Sequence, residues 1–90
     1  MAEDIEVRRR RLRFRSWHRG TREADLILGR FADACLSDFT ADQLDRYAAL
    51  LEKSDPDIYD WLTGRIPVPP AHDTDVLRLL QRFQFSDGSS

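Results

Sequence analysis

The stretch Phe39-Thr40-Ala41-Asp42-Gln43-Leu44-Asp45-Arg46-Tyr47-Ala48-Ala49-Leu50-Leu51 fixes the fold class. Thr40 followed three residues later by Gln43 is a capping box: each side chain can bond the other residue's backbone N–H. Phe39 before the cap and Leu44 after it are placed as a hydrophobic staple. Leu44, Tyr47, Ala48 and Leu51 then recur at helical spacing and mark a buried face.

Outward from this helix the same logic holds in both directions. Downstream, Asp55-Pro56 opens another helix. Asp55 serves as cap and Pro56 sits in the first turn, where a missing N–H costs nothing. Ile58, Trp61 and Leu62 point inward and Gly64 ends the helix. Arg65-Ile66-Pro67-Val68-Pro69-Pro70 is extended, because proline blocks helix at itself and disfavours it one residue earlier. Asp73 or Thr74 caps a last helix with Val76, Leu79, Leu80 and Phe83 as its stripe. The end of the chain, residues 86–90, is expected to be a disordered tail.

Upstream, a helix from Gly20 to about Leu36 presents Ala24, Ile27, Leu28, Phe31 and Cys35 on one face. Gly29 within it costs ~1 kcal/mol relative to alanine, which points to a close approach by another backbone. The first helix covers about Glu6–Trp17. Val7, Leu12, Phe14 and Trp17 are its apolar residues; Phe14 and Trp17, three apart, share a face expected to pack on the core. The expectation is all-α: a small five-helix bundle forming a single domain over residues 1–85, with no strand and no internal repeat.

Composition bounds what such a bundle can do. At 90 residues the chain is one domain that hides about 60–65% of its unfolded surface. A core of that size leaves no room for a deep substrate pocket of ~300–1,000 Å³. No apolar run approaches the ~20 residues of a membrane span, and the acidic start Glu3-Asp4-Ile5-Glu6 resembles neither a secretory signal nor a transit peptide. Cys35 is the only cysteine, so no internal disulfide forms. A reducing cytoplasm is the expected location, and a monomer the expected state.

Catalytic chemistry has little to build on. His18 and His72 form no metal-ligand pattern with cysteines or carboxylates. There is no Gly-rich phosphate loop and no nucleophile elbow. Asp57 and Asp60 read as acids near the positive end of a helix dipole. The expectation is therefore a protein-binding protein, not an enzyme, with no metal site.

Charge is unevenly spread. Residues 1–22 hold eight arginines and three acids, whereas the remaining chain holds six basic and thirteen acidic residues. Arginines interleaved with Phe14 and Trp17 could bind a phosphate backbone and stack bases. The acidic remainder would repel a polyanion. A nucleic-acid-binding adaptor is thus one alternative, and an antitoxin-like interaction module another.

Two motifs point elsewhere. His18-Arg19-Gly20-Thr21-Arg22-Glu23-Ala24-Asp25 resembles the Arg-Gly-x-x-Glu signature of the SdhE family, the FAD assembly factors of succinate dehydrogenase. Leu50-Leu51-Glu52-Lys53-Ser54-Asp55-Pro56-Asp57-Ile58-Tyr59-Asp60-Trp61-Leu62 is similar to that family's Leu-Leu-Glu, Asp-x-Asp and Trp-Leu pattern. Leu77–Phe83 fits its last helix. The resemblance covers about residues 8–83.

It implies a five-helix bundle that acts as a chaperone for the flavoprotein subunit of succinate dehydrogenase, and in bacteria for fumarate reductase too. The family promotes covalent attachment of FAD to a histidine of that subunit. The cofactor is thus the partner's and this chain has none of its own. The implied partner-binding residues are Arg19, Gly20 and Glu23, with His18, Asp25 and Arg15 beside them. Arg19 would offer its fork of donors to the partner, Gly20 a bare backbone at positive φ, and Glu23 a carboxylate. Glu23 at the third position of its helix could alternatively close a capping box. The family often carries a fixed positive charge where His18 stands, and a neutral imidazole does not supply it.

Overall fold

The computed structural model describes residues 4–88. Among them are five α-helices and no strand: α1 (Ile5–Trp17), α2 (Arg22–Cys35), α3 (Ala41–Leu51), α4 (Asp55–Thr63) and α5 (Asp75–Gly88). Short 3-10 turns at Leu36–Asp38 and Pro70–His72 link α2 to α3 and lead into α5. The tail expected from residue 86 therefore falls partly on α5, while residues 89 and 90 lie outside the described residues.

The capping box of α3 is present in full, with Thr40 and Gln43 each accepting from the other's backbone N–H. Both staple residues, Phe39 and Leu44, are buried. Thr74 caps α5 through the Leu77 N–H, and Gly64 ends α4 at φ +78. At the start of α4 the cap is Ser54, whose side chain accepts from Asp57 N–H, and not Asp55. Asp55 is free to bond elsewhere, with consequences described below.

Phe31 is the hub of the core. Its ring lies 5.9 Å from Phe39, 5.6 Å from Tyr47 and 5.8 Å from Phe83, so α2, α3, α5 and the α2–α3 link meet on it. These edge and tilted contacts are the favoured aromatic geometries. Leu28, Leu36, Leu44, Val76, Leu77 and Leu80 close around them.

The first helix departs from the pattern. Its inward positions are Ile5, Arg9, Leu12 and Ser16, spaced as one helical stripe, and two of the four are polar. Arg9 donates from Nε to Leu36 O (2.9 Å) and from its guanidinium to Phe39 O (2.8 Å), tying α1 to the α2–α3 link. Phe14 does not pack on the core: it is 62% exposed, since the stripe that faces the bundle passes through residues 12 and 16. Trp17 packs, but against α2. An ideal Cβ on Gly29 would fall 2.2 Å from the Trp17 ring, so Gly29 admits a side chain where a backbone was expected.

Ser16 sits fully buried against Tyr47. Its hydroxyl donates to Leu12 O (2.7 Å) and lies 2.6 Å from the Tyr47 hydroxyl, which also donates to Leu28 O (3.4 Å). Burial pushes the Tyr47 phenol far above its ordinary 10.0. Above that pH the unfolded chain releases a proton that the folded one keeps. The stabilisation is complete below the unfolded value and declines as pH rises past it, by up to about 1.4 kcal/mol per pH unit. Urea unfolding at about pH 8 and about pH 11 should show this decline, and Tyr47→Phe should remove the Tyr47 share of it while costing about 1 kcal/mol at neutral pH.

Candidate docking surface at the corner between the first two helices

Alpha helix α1 ends at Trp17 and α2 begins at Arg22, so four residues, 18–21, make the corner. Thr21 caps α2 by accepting from Ala24 N–H (3.2 Å). This places Arg22 first, Glu23 second and Ala24 third in the helix. The helix starts two residues later than the sequence pattern suggests, and Glu23 is not at the capping-box position. Glu23 is exposed, and its carboxylate has no hydrogen-bond or ion-pair partner among the described residues. A carboxylate in the first turn is favoured by the helix dipole alone.

Gly20 takes φ +114, a conformation side chains rarely adopt, and an added Cβ would meet nothing within 4 Å. Its conformation requires glycine, and the space outside it is open. The corner is thus a surface feature, with Gly20, Thr21, Arg22 and Glu23 all exposed.

Arg19 behaves differently from the expectation of a fork held out to a partner. Its side chain is 12% exposed and pairs with Asp55 at 2.9 Å. The remaining donors reach Leu51 O (2.6 Å) and Lys53 O (2.7 Å). These carbonyls lie at the C-terminal end of α3, where helix carbonyls lack intrahelical partners and the dipole is negative. One guanidinium therefore joins the corner to the end of α3 and the first turn of α4. From the other side, Asp25 accepts from the Arg19 backbone N–H at 2.6 Å. Arg19 and Asp25 brace the corner from within, and Gly20 and Glu23 form its outer lip.

His18 is exposed and stacks on Phe14, with ring centroids 3.9 Å apart and planes at 17°. Its Nδ1 lies 2.7 Å from Phe14 O. A carbonyl only accepts, so Nδ1 carries the proton in this contact. Arg15 extends toward Glu52 at 3.3 Å. Of the six residues singled out from the sequence, His18, Gly20 and Glu23 face solvent together. Arg19 and Asp25 lie behind them, and Arg15 is tied across to the end of α3.

The arginines that suggested nucleic acid are similarly engaged. Arg8 pairs with Asp45, Arg9 with Glu6, Arg13 with Asp33 at 3.4 Å and Arg15 with Glu52. Acids of α1, α2, α3 and the residue just after α3 neutralise much of the basic helix, which weighs against an electrostatic footprint for a phosphate backbone. Among the described residues, no cluster of three or more His, Cys, Asp or Glu is placed to hold a metal, and no helix is long and apolar enough to cross a membrane.

Beside the lip, α2 and α4 enclose a groove of about 220 Å³, lined by Glu23, Ala24, Ile27, Pro56, Ile58, Tyr59 and neighbouring residues. Sequence reasoning missed both this groove and the Arg19–Asp55 bond. The groove arises where two helices far apart in sequence diverge, and two of the Arg19 acceptors are carbonyls, which carry no residue signature. The detectable signal was Ser54: a good cap residue directly before Asp55 leaves that carboxylate available.

A family model described as flavinator of succinate dehydrogenase matches residues 10–84. The chain is 46% identical over 79 residues to the FAD assembly factor SdhE of Acetobacter pasteurianus, an alignment covering 87% of this chain and 72% of that protein. It is 45% identical over 83 residues to the mitochondrial succinate dehydrogenase assembly factor 2 of Debaryomyces hansenii, covering 88% and 58% respectively. Against the mitochondrial assembly factor 2-A of Drosophila mojavensis it is 42% identical over 82 residues, covering 89% and 52%. The alignments thus span less than two thirds of these two mitochondrial relatives.

Proposed function

This chain belongs to the family of succinate dehydrogenase flavinators, and from that premise we propose that it docks on the flavoprotein subunit of succinate dehydrogenase and promotes covalent attachment of FAD to it. The flavin and the acceptor histidine are the partner's. This chain donates no acid, base, metal or cofactor of its own. Its contribution is to stabilise the partner conformation in which flavin and histidine are held for reaction, so the rate gain comes from positioning. A bacterial cytoplasm, where the free Cys35 thiol persists, is the compartment this reading assigns.

One observation supports it most: the bare backbone of Gly20 and the unpartnered carboxylate of Glu23 are both exposed on a corner that Arg19 and Asp25 tie down from beneath. A rigid lip loses little conformational freedom on binding, which favours affinity.

The test is co-expression with the flavoprotein subunit, reading covalent flavin by in-gel fluorescence. Gly20→Arg places bulk on the lip and Glu23→Ala removes its charge. Each is expected to lower the flavin signal about tenfold, the equivalent of ~1.4 kcal/mol of lost docking energy. Gly20→Ala, which carries the backbone strain with little bulk, separates the two causes at that position. If Gly20→Arg and Glu23→Ala both flavinylate like wild type, the docking surface lies elsewhere.

A further inference from the structure

The groove between α2 and α4 borders the lip through Thr21 and Glu23. Its lining is overwhelmingly apolar, yet it opens to solvent, and Tyr59 on its wall is 45% exposed. The Arg19–Asp55 bond helps hold it in shape, because Asp55 and Pro56 form the end of the groove on α4 and Arg19 fixes them to the corner. Of the two acids on its margin, Asp55 is neutralised by Arg19. Glu23 has no ion-pair partner among the described residues. The groove thus offers an apolar floor with one uncompensated negative charge at its rim.

We propose that this groove receives an apolar side chain of the flavoprotein subunit, carried on a segment with a lysine or arginine within one helical turn of it. The apolar side chain fills the space over Ile27 and Ile58, and the cation bonds Glu23. This rests on the docking role given above and names the chemistry of what docks. Charge complementarity selects the occupant. A polyanion or a flavin dinucleotide would bring phosphates against Glu23, and about 220 Å³ is smaller than the ~300–1,000 Å³ of pockets that enclose whole small molecules. An amphipathic segment that lays an apolar anchor into a hydrophobic groove is a recurring mode of protein recognition.

The test is titration of the purified apo flavoprotein subunit with the full chain, at low and moderate salt. Ala24→Phe fills the groove and Tyr59→Ala removes its wall. Each is expected to weaken binding at least tenfold while leaving helix content unchanged. Glu23→Gln is expected to weaken binding several-fold and to flatten its salt dependence. Leu26→Ala alters an apolar residue that is 42% exposed but not part of the groove lining, and should bind like wild type. Absence of any complex with the wild-type chain overturns both this inference and the docking role. A wild-type complex that Gly20→Arg weakens but Ala24→Phe and Tyr59→Ala leave intact overturns the groove alone. Sedimentation of the free chain closes the remaining case: a dimer abolished by Ala24→Phe makes a second copy the occupant and overturns the assignment to the flavoprotein.

Discussion

Replacing Arg19 with alanine is expected to lower the free energy of unfolding by about 2–4 kcal/mol, a large fraction of the stability of so small a domain. The guanidinium is 12% exposed and its partner Asp55 20%. Truncation leaves a half-buried carboxylate without its cation and removes the donors to Leu51 O and Lys53 O. Those carbonyls are at a helix end, where water alone must then serve them. Arg19→Lys is expected to recover less than half of the loss. An ammonium is a single point and cannot reach three acceptors that a planar fork spans. Urea unfolding followed by circular dichroism measures both. A loss below about 1 kcal/mol for the alanine variant, typical of an exposed ion pair, would show that the brace does not carry the corner.

Replacing Gly29 with alanine is expected to cost about 1–3 kcal/mol through overpacking, against the usual direction, since alanine is the better helix former by ~1 kcal/mol. The reason is the Trp17 ring. The added methyl would lie 2.2 to 2.6 Å from three of its carbons, so the indole, and with it the end of α1, must move off α2. The Trp17 Nε1 bond to Asp33 (3.3 Å) moves with it. In a Trp17→Ala background the obstacle is gone, and the same Gly29→Ala change should become neutral or stabilising by up to ~1 kcal/mol. A double-mutant cycle with no coupling would mean that the contact is not what excludes a side chain at position 29.

What could be read from the sequence is what local chemistry encodes. The α3 capping box, the proline in the first turn of α4 and the glycine that ends it are short-range signals, and each sits where expected. The apolar stripes of α2, α3 and α5 meet around Phe31, but the core also takes in Ala32, Leu50 and Leu77, which the stripes leave out, and Ala24 lines the groove instead. The first helix carries a weaker signal because Arg9 and Ser16 occupy inward positions. An apolar count then gives Phe14 a core role that the helix stripe does not provide. At the corner, the motif names residues that the structure brings together without dividing their places. Gly20 and Glu23 point out, whereas Arg19 and Asp25 point in. That division depends on where the end of α3 lies relative to residue 19, a distance of 32 positions along the chain for the Leu51 carbonyl. No local pattern carries it.

The position of Arg19 has a consequence for genetics. Cells continually degrade chains that open too often, and losing one or two kcal/mol is enough to reduce abundance several-fold. A strain altered at residue 19 is then short of the protein, and overproduction or growth at lower temperature restores the phenotype. A strain altered at Glu23, the exposed residue that the proposed function assigns to docking, is expected to hold a normal supply of the protein. Two neighbouring lesions with the same growth phenotype are thus separable by measuring how much of the protein each strain contains.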